Sequence, residues 1–238
     1  MLYVKTAVKD HFHSLVHLLF PELCIACNRK VDDIGNAFCV DCYLDFPFTR
    51  ITDFCDNEFT EHFRGKVKLK YGTSLFFFVK RGLVQNMIRQ LKYHRKTDYG
   101  LKLGRLYGNT FKESPIASGI DIIVPVPLHK KKLAVRGYNQ SEIIADGIAS
   151  VFDRPVSNNN LIRQKNTLTQ TRLSNEARQE NIRGAFTLKD ELEFQNKHIL
   201  LVDDVLTTGS TLLGCAAAFE RVKGVELSMA TIAMGDVV

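Results

Sequence analysis

The stretch that decides the fold is Leu200-Leu201-Val202-Asp203-Asp204-Val205-Leu206-Thr207-Thr208-Gly209-Ser210-Thr211. Its apolar lead-in, Ile199 to Val202, has the length and composition of a buried strand. Two adjacent carboxylates follow, expected at the strand's carboxyl end. Hydroxyls around one glycine come next, and then an alanine-rich pattern from Leu212 to Glu220 that reads as a helix. That order suits a sugar phosphate. Backbone N–H groups at a helix start attract a phosphate, and the hydroxyls add donors. Paired carboxylates accept from vicinal sugar hydroxyls or hold a hydrated Mg²⁺. The plainer alternative is a solvated acidic turn with Thr207 or Thr208 as a helix cap. The Gly-x4-Gly-Lys-Ser/Thr phosphate loop is excluded, because its spacing is absent here.

Upstream, Ile120 to Val124 is a second buried-strand candidate, ended by Pro125-Val126-Pro127. A basic loop, Leu128 to Gly137, then enters a helix with Ile144, Ile148, Val151 and Phe152 at core spacing. Ligands of open α/β sheets sit outside the carboxyl ends of the strands. That places Lys131, Lys132 and Arg136 opposite the acidic pair, where Arg136 offers a bidentate clasp for phosphate oxygens. Residues 80–136 hold thirteen Lys/Arg against three acids within a net charge of +6. Such a block reads either as a nucleic-acid face or as the wall of an anionic pocket, against a background of ordinary surface lysines. Ser74 to Val79 predicts a strand, and helices are expected from Gly82 to Leu91 and from Asp98 to Lys112. The cluster Leu91 to Lys96 between them reads as a solvated loop, with an anionic ligand as its alternative. After a short strand around Pro155–Val156, a long polar loop from about Asn158 to Arg183 is expected to be a lid. A last strand, Val225 to Met234, is expected to close the sheet.

At the other end, Cys24-x2-Cys27, eleven residues and Cys39-x2-Cys42 have the spacing of a four-thiolate zinc ribbon. Disulfides are the competing explanation, and no export signal supports an oxidising compartment. Four thiolates leave no open position, so the metal is expected to be structural. Cys55 reads as an unpaired thiol and Cys215 as a core residue. The chain divides into an amphipathic helix within residues 1–21, a zinc ribbon over 22–50, an irregular linker over 51–70 and an α/β domain over 71–238. No apolar run is long enough for a membrane span, and a cytoplasmic location is expected.

Together, the cysteine pairs, VPVPLHKKKLAVRGYNQ, RQKNTLTQTRLSNEARQENIRGAF and LLVDDVLTTGST resemble the ComF family, including GntX-like members. VDDVLTTGST is itself similar to the phosphoribosyl-pyrophosphate (PRPP) signature of type I phosphoribosyltransferases. The resemblance runs from about Leu18 to the end. It implies a zinc ribbon followed by a type I phosphoribosyltransferase domain, a Rossmann-like parallel sheet flanked by helices. It implies that Asp203 and Asp204 contact the ribose hydroxyls, and that Thr207, Thr208, Gly209, Ser210 and Thr211 cradle the 5′-phosphate. The loop from Pro127 to Gly137, with Lys131, Lys132 and Arg136, would hold pyrophosphate with Mg²⁺. Catalytic roles would fall to Asp203, Asp204, Arg163 and Lys165, and a closing hood would add Gln170, Arg178 and Asn181. Some relatives carry further cysteines; here, with Cys215 read as core, only Cys55 remains after the first four, so one zinc is expected. Members are linked to natural transformation and use of external DNA. The rival function is therefore a non-catalytic module that binds single-stranded DNA or a DNA-translocating helicase. Against it, the cysteine module is near neutral, with few aromatics among its basic residues.

Overall fold

The computed structural model describes residues 21–31, 37–93, 97–164 and 184–235. The expected helix of residues 4–20 lies outside them, as do Lys165, Gln170, Arg178 and Asn181. The chain forms two compact units, residues 1–46 and 47–238. The first carries α1 (Val40–Asp45). The second carries in order α2 (Glu58–Glu61), β1 (Gly72–Phe77), α3 (Leu83–Tyr93), α4 (Thr97–Phe111), α5 (Pro115–Gly119), β2 (Ile122–Pro125), α6 (Lys130–Arg136) and α7 (Gln140–Phe152). There follow β3 (Leu161–Arg163), β4 (Phe186–Leu188), β5 (His198–Leu206), α8 (Ser210–Ala217) and β6 (Glu226–Met234).

Four strands form one parallel sheet in the order β1-β6-β5-β2. The two central strands are the most apolar, as strands covered on both faces must be: Ile199 to Val202 and Met229, Ala230, Ile232 and Ala233 are fully buried. β6 therefore lies inside the sheet, between β1 and β5, and does not close it as expected. An apolar run reveals burial and not neighbour order. Pro125 sits at the end of edge strand β2, where its missing N–H costs no ladder bond. Val156 makes a single parallel bridge to Ile123 on the outer side of β2.

Helices flank the sheet, as the periodicity predicts. α7 packs on β2 and β5, and α4 packs on α7. Their closest approach is glycine against glycine. A Cβ added to Gly104 would meet the Ile144 carbonyl oxygen and lie 2.8 Å from the Gly147 Cα. Both obstacles are backbone, so the helices must separate to admit a methyl group. Gly104→Ala is expected to lower stability by about 3 kcal/mol, measured by urea unfolding, despite alanine's better helix propensity.

Residues 51–70 correct the linker expectation. They begin α2, whose Asn57 cap accepts from the backbone N–H groups of Phe59 and Thr60. Phe59 and Phe63 are buried in the core of the second unit. One helical turn carries too short a pattern to stand out from polar surroundings. The long loop also differs at its ends, because β3 and β4 pair as an antiparallel ribbon flanking residues 165–183. The basic loop is in part a helix: His129 accepts from the Lys131 N–H at its start, and Gly137 ends it at φ +83°.

Candidate functional site

The site is built on the carboxyl end of β5. The strand continues through the acidic pair to Leu206, so Asp203 and Asp204 are strand residues rather than the turn after it. Asp203 pairs in register with Thr231 of β6. Its Oδ1 accepts from the Ser141 hydroxyl at 3.0 Å and from the Asp204 N–H at 2.9 Å. Ser141 is presented by the first turn of α7, which Asn139 fixes by accepting from the Ser141 N–H and donating to the Val126 carbonyl. One asparagine thus ties the helix start to the chain leaving β2.

Asp204 takes a different partner. Lys92, in the last turn of α3, places Nζ 2.8 Å from its Oδ2, with the two side chains 26% and 14% exposed. Lys92 and Tyr93 are helical, which corrects the solvated-loop expectation; residues 94–96 lie outside the described ones.

After Leu206 the chain turns through Thr207 and Thr208 to Gly209, whose φ of +72° is left-handed, and α8 starts at Ser210. Glycine serves this turn because L side chains avoid that conformation and because a Cβ would lie 3.1 Å from the Phe63 ring. The Thr208 and Ser210 hydroxyls are 2.9 Å apart. Asp203 and residues 205–212 line a small hollow at this turn. Its walls are backbone N–H groups and hydroxyls at a helix start, chemistry that receives an anion.

The basic elements are α6 and β3. α6 has no buried residue, and Lys131 and Lys132 are exposed. Arg136 donates to Gln140 Oε1 at 3.1 Å. On β3, Arg163 stacks over Phe186, 5.2 Å from the ring centroid. Desolvation and the positive charges of Arg163, Lys131, Lys132 and Lys130 push the His129 imidazole below its ordinary value, so β3 and α6 face one another electrostatically. Burial, then the Asp203 charge, pushes the Cys215 thiol well up, while Arg163 opposes the shift. Cys215 is fully buried in α8, in agreement with the core expectation.

Burial, and then the neighbouring Asp204 carboxylate, raises the Asp203 carboxyl from 3.8 to about 7. The folded chain therefore holds a proton there that the unfolded chain has lost, and stability falls as pH rises from about 4 to 7. Above that range the difference is constant. Asp203→Asn removes the ionisation, so its stability relative to wild type is expected to rise across the same window and then level off. Thermal melts at a series of pH values read this directly.

The first unit brings its four cysteines together. The Cys24–Cys27 turn closes through the Cys24 N–H to the Arg29 carbonyl and the Asn28 N–H to the Cys24 carbonyl. Leu23 and Lys30 bridge its base in antiparallel fashion. Cys39 caps α1 and Cys42 lies within it. The four Sγ atoms all lie within 4.8 Å of one another, with Cys27 and Cys39 at 3.7 Å. Zinc–sulfur bonds of about 2.3 Å in a tetrahedron require sulfurs about 3.8 Å apart, so this donor set fits zinc. Burial resists ionisation of Cys27, but hydrogen bonds from Arg29 prevail and bring the thiol down to about 6. Arg29 is itself paired with Asp41 at 2.8 Å. Burial and the adjacent sulfurs push Cys42 up, and a bound dication offsets that cost. Cys55 is exposed.

Comparison with known proteins defines the class first. Residues 139–236 match the family described as "Phosphoribosyl transferase domain", which covers α7 through β6 and the whole acidic and hydroxyl-rich stretch. Competence protein F of Haemophilus influenzae is 27% identical over 198 residues, 79% of this chain and 86% of that protein. Competence protein ComFC of Bacillus subtilis is 24% identical over 225 residues, covering 90% and 86%. The DNA utilization protein YhgH of Escherichia coli K12 is 34% identical over 138 residues, 57% of this chain and 60% of that protein. Among solved structures, the allosteric regulatory enzyme of purine biosynthesis is similar over 59% of this chain and 29% of its own, at 17% identity and a TM-score of 0.40. The relatives of this chain are thus named Competence protein F, ComFC and YhgH, and its match to a phosphoribosyl transferase domain follows a cluster of four cysteines.

Ser141 is a partner of the acidic pair that no sequence motif marks, whereas Lys92 belongs to the cluster whose alternative was an anionic ligand. The Lys92 cluster was visible as charge, but nothing local told of its partner on β5. Ser141 is 62 residues from Asp203 in the chain and belongs to no motif of its own. No helix among the described residues is long and apolar enough to cross a membrane.

Proposed function

We propose that the second unit binds PRPP with Mg²⁺ and transfers its phosphoribosyl group, in the cytoplasm, as part of competence or the use of external DNA. The observation that carries this reading is the sequence of groups on one strand end. Two carboxylates within β5 lead into a glycine-turned hydroxyl loop at a helix start, with a basic helix on the neighbouring strand's exit. Asp203 and Asp204 accept from the ribose 2′ and 3′ hydroxyls. Residues Thr207 to Thr211 hold the 5′-phosphate through backbone N–H groups and hydroxyls. Lys131, Lys132 and Arg136 face the pyrophosphate, and Arg163, with Lys165, Gln170, Arg178 and Asn181, completes the hood. The hard oxygen donors of the acidic pair also fit Mg²⁺, which when bound neutralises charge on the pyrophosphate. In the reaction the acceptor forms a bond to C1 as the C1–oxygen bond breaks, and the bonding pair leaves with pyrophosphate. Fixed arginines and N–H groups stabilise that departing charge more than they stabilise the substrate.

A second reading is supported by the exposure of α6 from Lys130 to Val135, with its three lysines, and by the names of the relatives. In it this face binds single-stranded DNA or a helicase partner. Titration calorimetry with PRPP and Mg²⁺, run beside single-stranded DNA at two salt concentrations, separates the two. PRPP binding supports transfer chemistry, and strongly salt-dependent DNA binding alone supports the second.

A further inference from the structure

Lys92 stands outside every motif and outside the matched domain family, yet it makes the ion pair that closes the acidic pair from the α3 side. The pair is mostly buried, so it is not the screened surface kind that contributes little. A buried ammonium left without its partner is costly. If the sugar hydroxyls occupy the Asp204 carboxylate, Lys92 needs another anion within reach. The end of α3 is pinned where such an anion would lie. The Tyr138 hydroxyl hydrogen-bonds the Leu91 carbonyl, next to Lys92 in the chain, and Tyr138 follows directly on the Gly137 that ends basic helix α6. Lys92 thus enters from the side of Arg136 and the β2 exit. The Thr207–Thr211 turn is a separate element, following β5.

We propose that Lys92 is a further binding residue of the site, which holds Asp204 while the pocket is empty and passes its ammonium to a pyrophosphate oxygen when the sugar hydroxyls take the carboxylate over. This rests on the PRPP reading above. Lys92 then selects for the pyrophosphate-bearing sugar over the same sugar phosphate without it. Proton count and covalent bonds are unchanged, since one ion pair replaces another.

The test compares PRPP with Mg²⁺ against ribose 5-phosphate, by calorimetry, on wild type, Lys92→Met and Lys92→Arg. Lys92→Met is expected to lose PRPP affinity by about tenfold or more, the size of one charge-assisted hydrogen bond. Its ribose 5-phosphate affinity does not fall, because that ligand gives the displaced Lys92 no anion in place of Asp204, and Lys92→Arg recovers most of the PRPP affinity. Equal loss of both ligands would make Lys92 a mere support for Asp204 and overturn the proposal. Unchanged or tighter PRPP binding by Lys92→Met would overturn it as well. If the melting curve shows Lys92→Met to be misfolded, Lys92→Gln takes its place with the same expected outcomes. Failure of the wild type to bind PRPP sinks the PRPP reading and this inference with it. Binding by wild type with an unaltered variant sinks this inference alone.

Discussion

Replacing Asp203 and Asp204 together by Asn is expected to abolish PRPP binding while leaving the fold intact. Hydrogen bonds to a charged acceptor contribute about 1.5–3 kcal/mol each, and two carboxylates each receive one sugar hydroxyl. Losing both costs about 3–6 kcal/mol, a drop in affinity of roughly a hundredfold to ten-thousandfold. The single substitutions should differ. Asp203→Asn keeps an oxygen for Ser141 and for the Asp204 N–H, and it removes a carboxylate that burial already penalises. Asp204→Asn leaves the Lys92 ammonium without its ion-pair partner in the empty pocket, so of the two it costs the free protein more stability. The pH dependence gives a second check. A carboxyl that titrates near 7 accepts hydroxyls fully only when ionised, so wild-type affinity should rise through that pH and then level. The same rise should be lost in Asp203→Asn. Calorimetry at pH 8, with melting curves to confirm folding, measures all of this. A double variant that binds PRPP within about threefold of wild type would remove the acidic pair from the site, since a single charged hydrogen bond exceeds that.

Much of this site was legible in the sequence, for a physical reason. A parallel sheet buries its central strands on both faces, so Ile199 to Val202 had to be an unbroken apolar run. A ligand at the strand ends must then be met by the residues that follow. Local order along the chain therefore reports local order in space, and Asp203 through Thr211 lie together as read. The spacing of the cysteines was legible for a similar reason, because each knuckle is one turn. Contacts between distant segments were not legible. Lys92 and Asp204 are joined by the way α3 returns to the sheet, and Ser141 by the docking of α7 on β5. The buried Phe59 and Phe63 show the same limit in the core, where a single turn of helix gives too little periodicity to separate from a linker.

Removing the metal is expected to unfold the four-cysteine module outright. The described part of this unit buries few large side chains, chiefly Ile25, Val31, Phe38 and Phe46, around the sulfurs themselves. An apolar core of that size does not hold so short a segment in one conformation without a staple. Structural zinc in comparable modules contributes about 10–16 kcal/mol, as much as the whole stability of an ordinary domain. Metal analysis after gentle purification should return one zinc per chain, and Cys42→Ser, which replaces a buried thiolate with a poor ligand, should return almost none. With a strong chelator, limited proteolysis is expected to cut within residues 22–46 and spare the sheet. The competing explanation, disulfides, makes the opposite prediction. The Cys27 and Cys39 sulfurs are 3.7 Å apart, far beyond a bond of about 2.05 Å, and all four cysteines are free thiols. Thiol titration of the chelated, unfolded protein should therefore count six thiols per chain, the four with Cys55 and Cys215. Substoichiometric zinc together with oxidised cysteines would instead make the module a disulfide clasp, whose stability would fall to reductant and ignore the chelator.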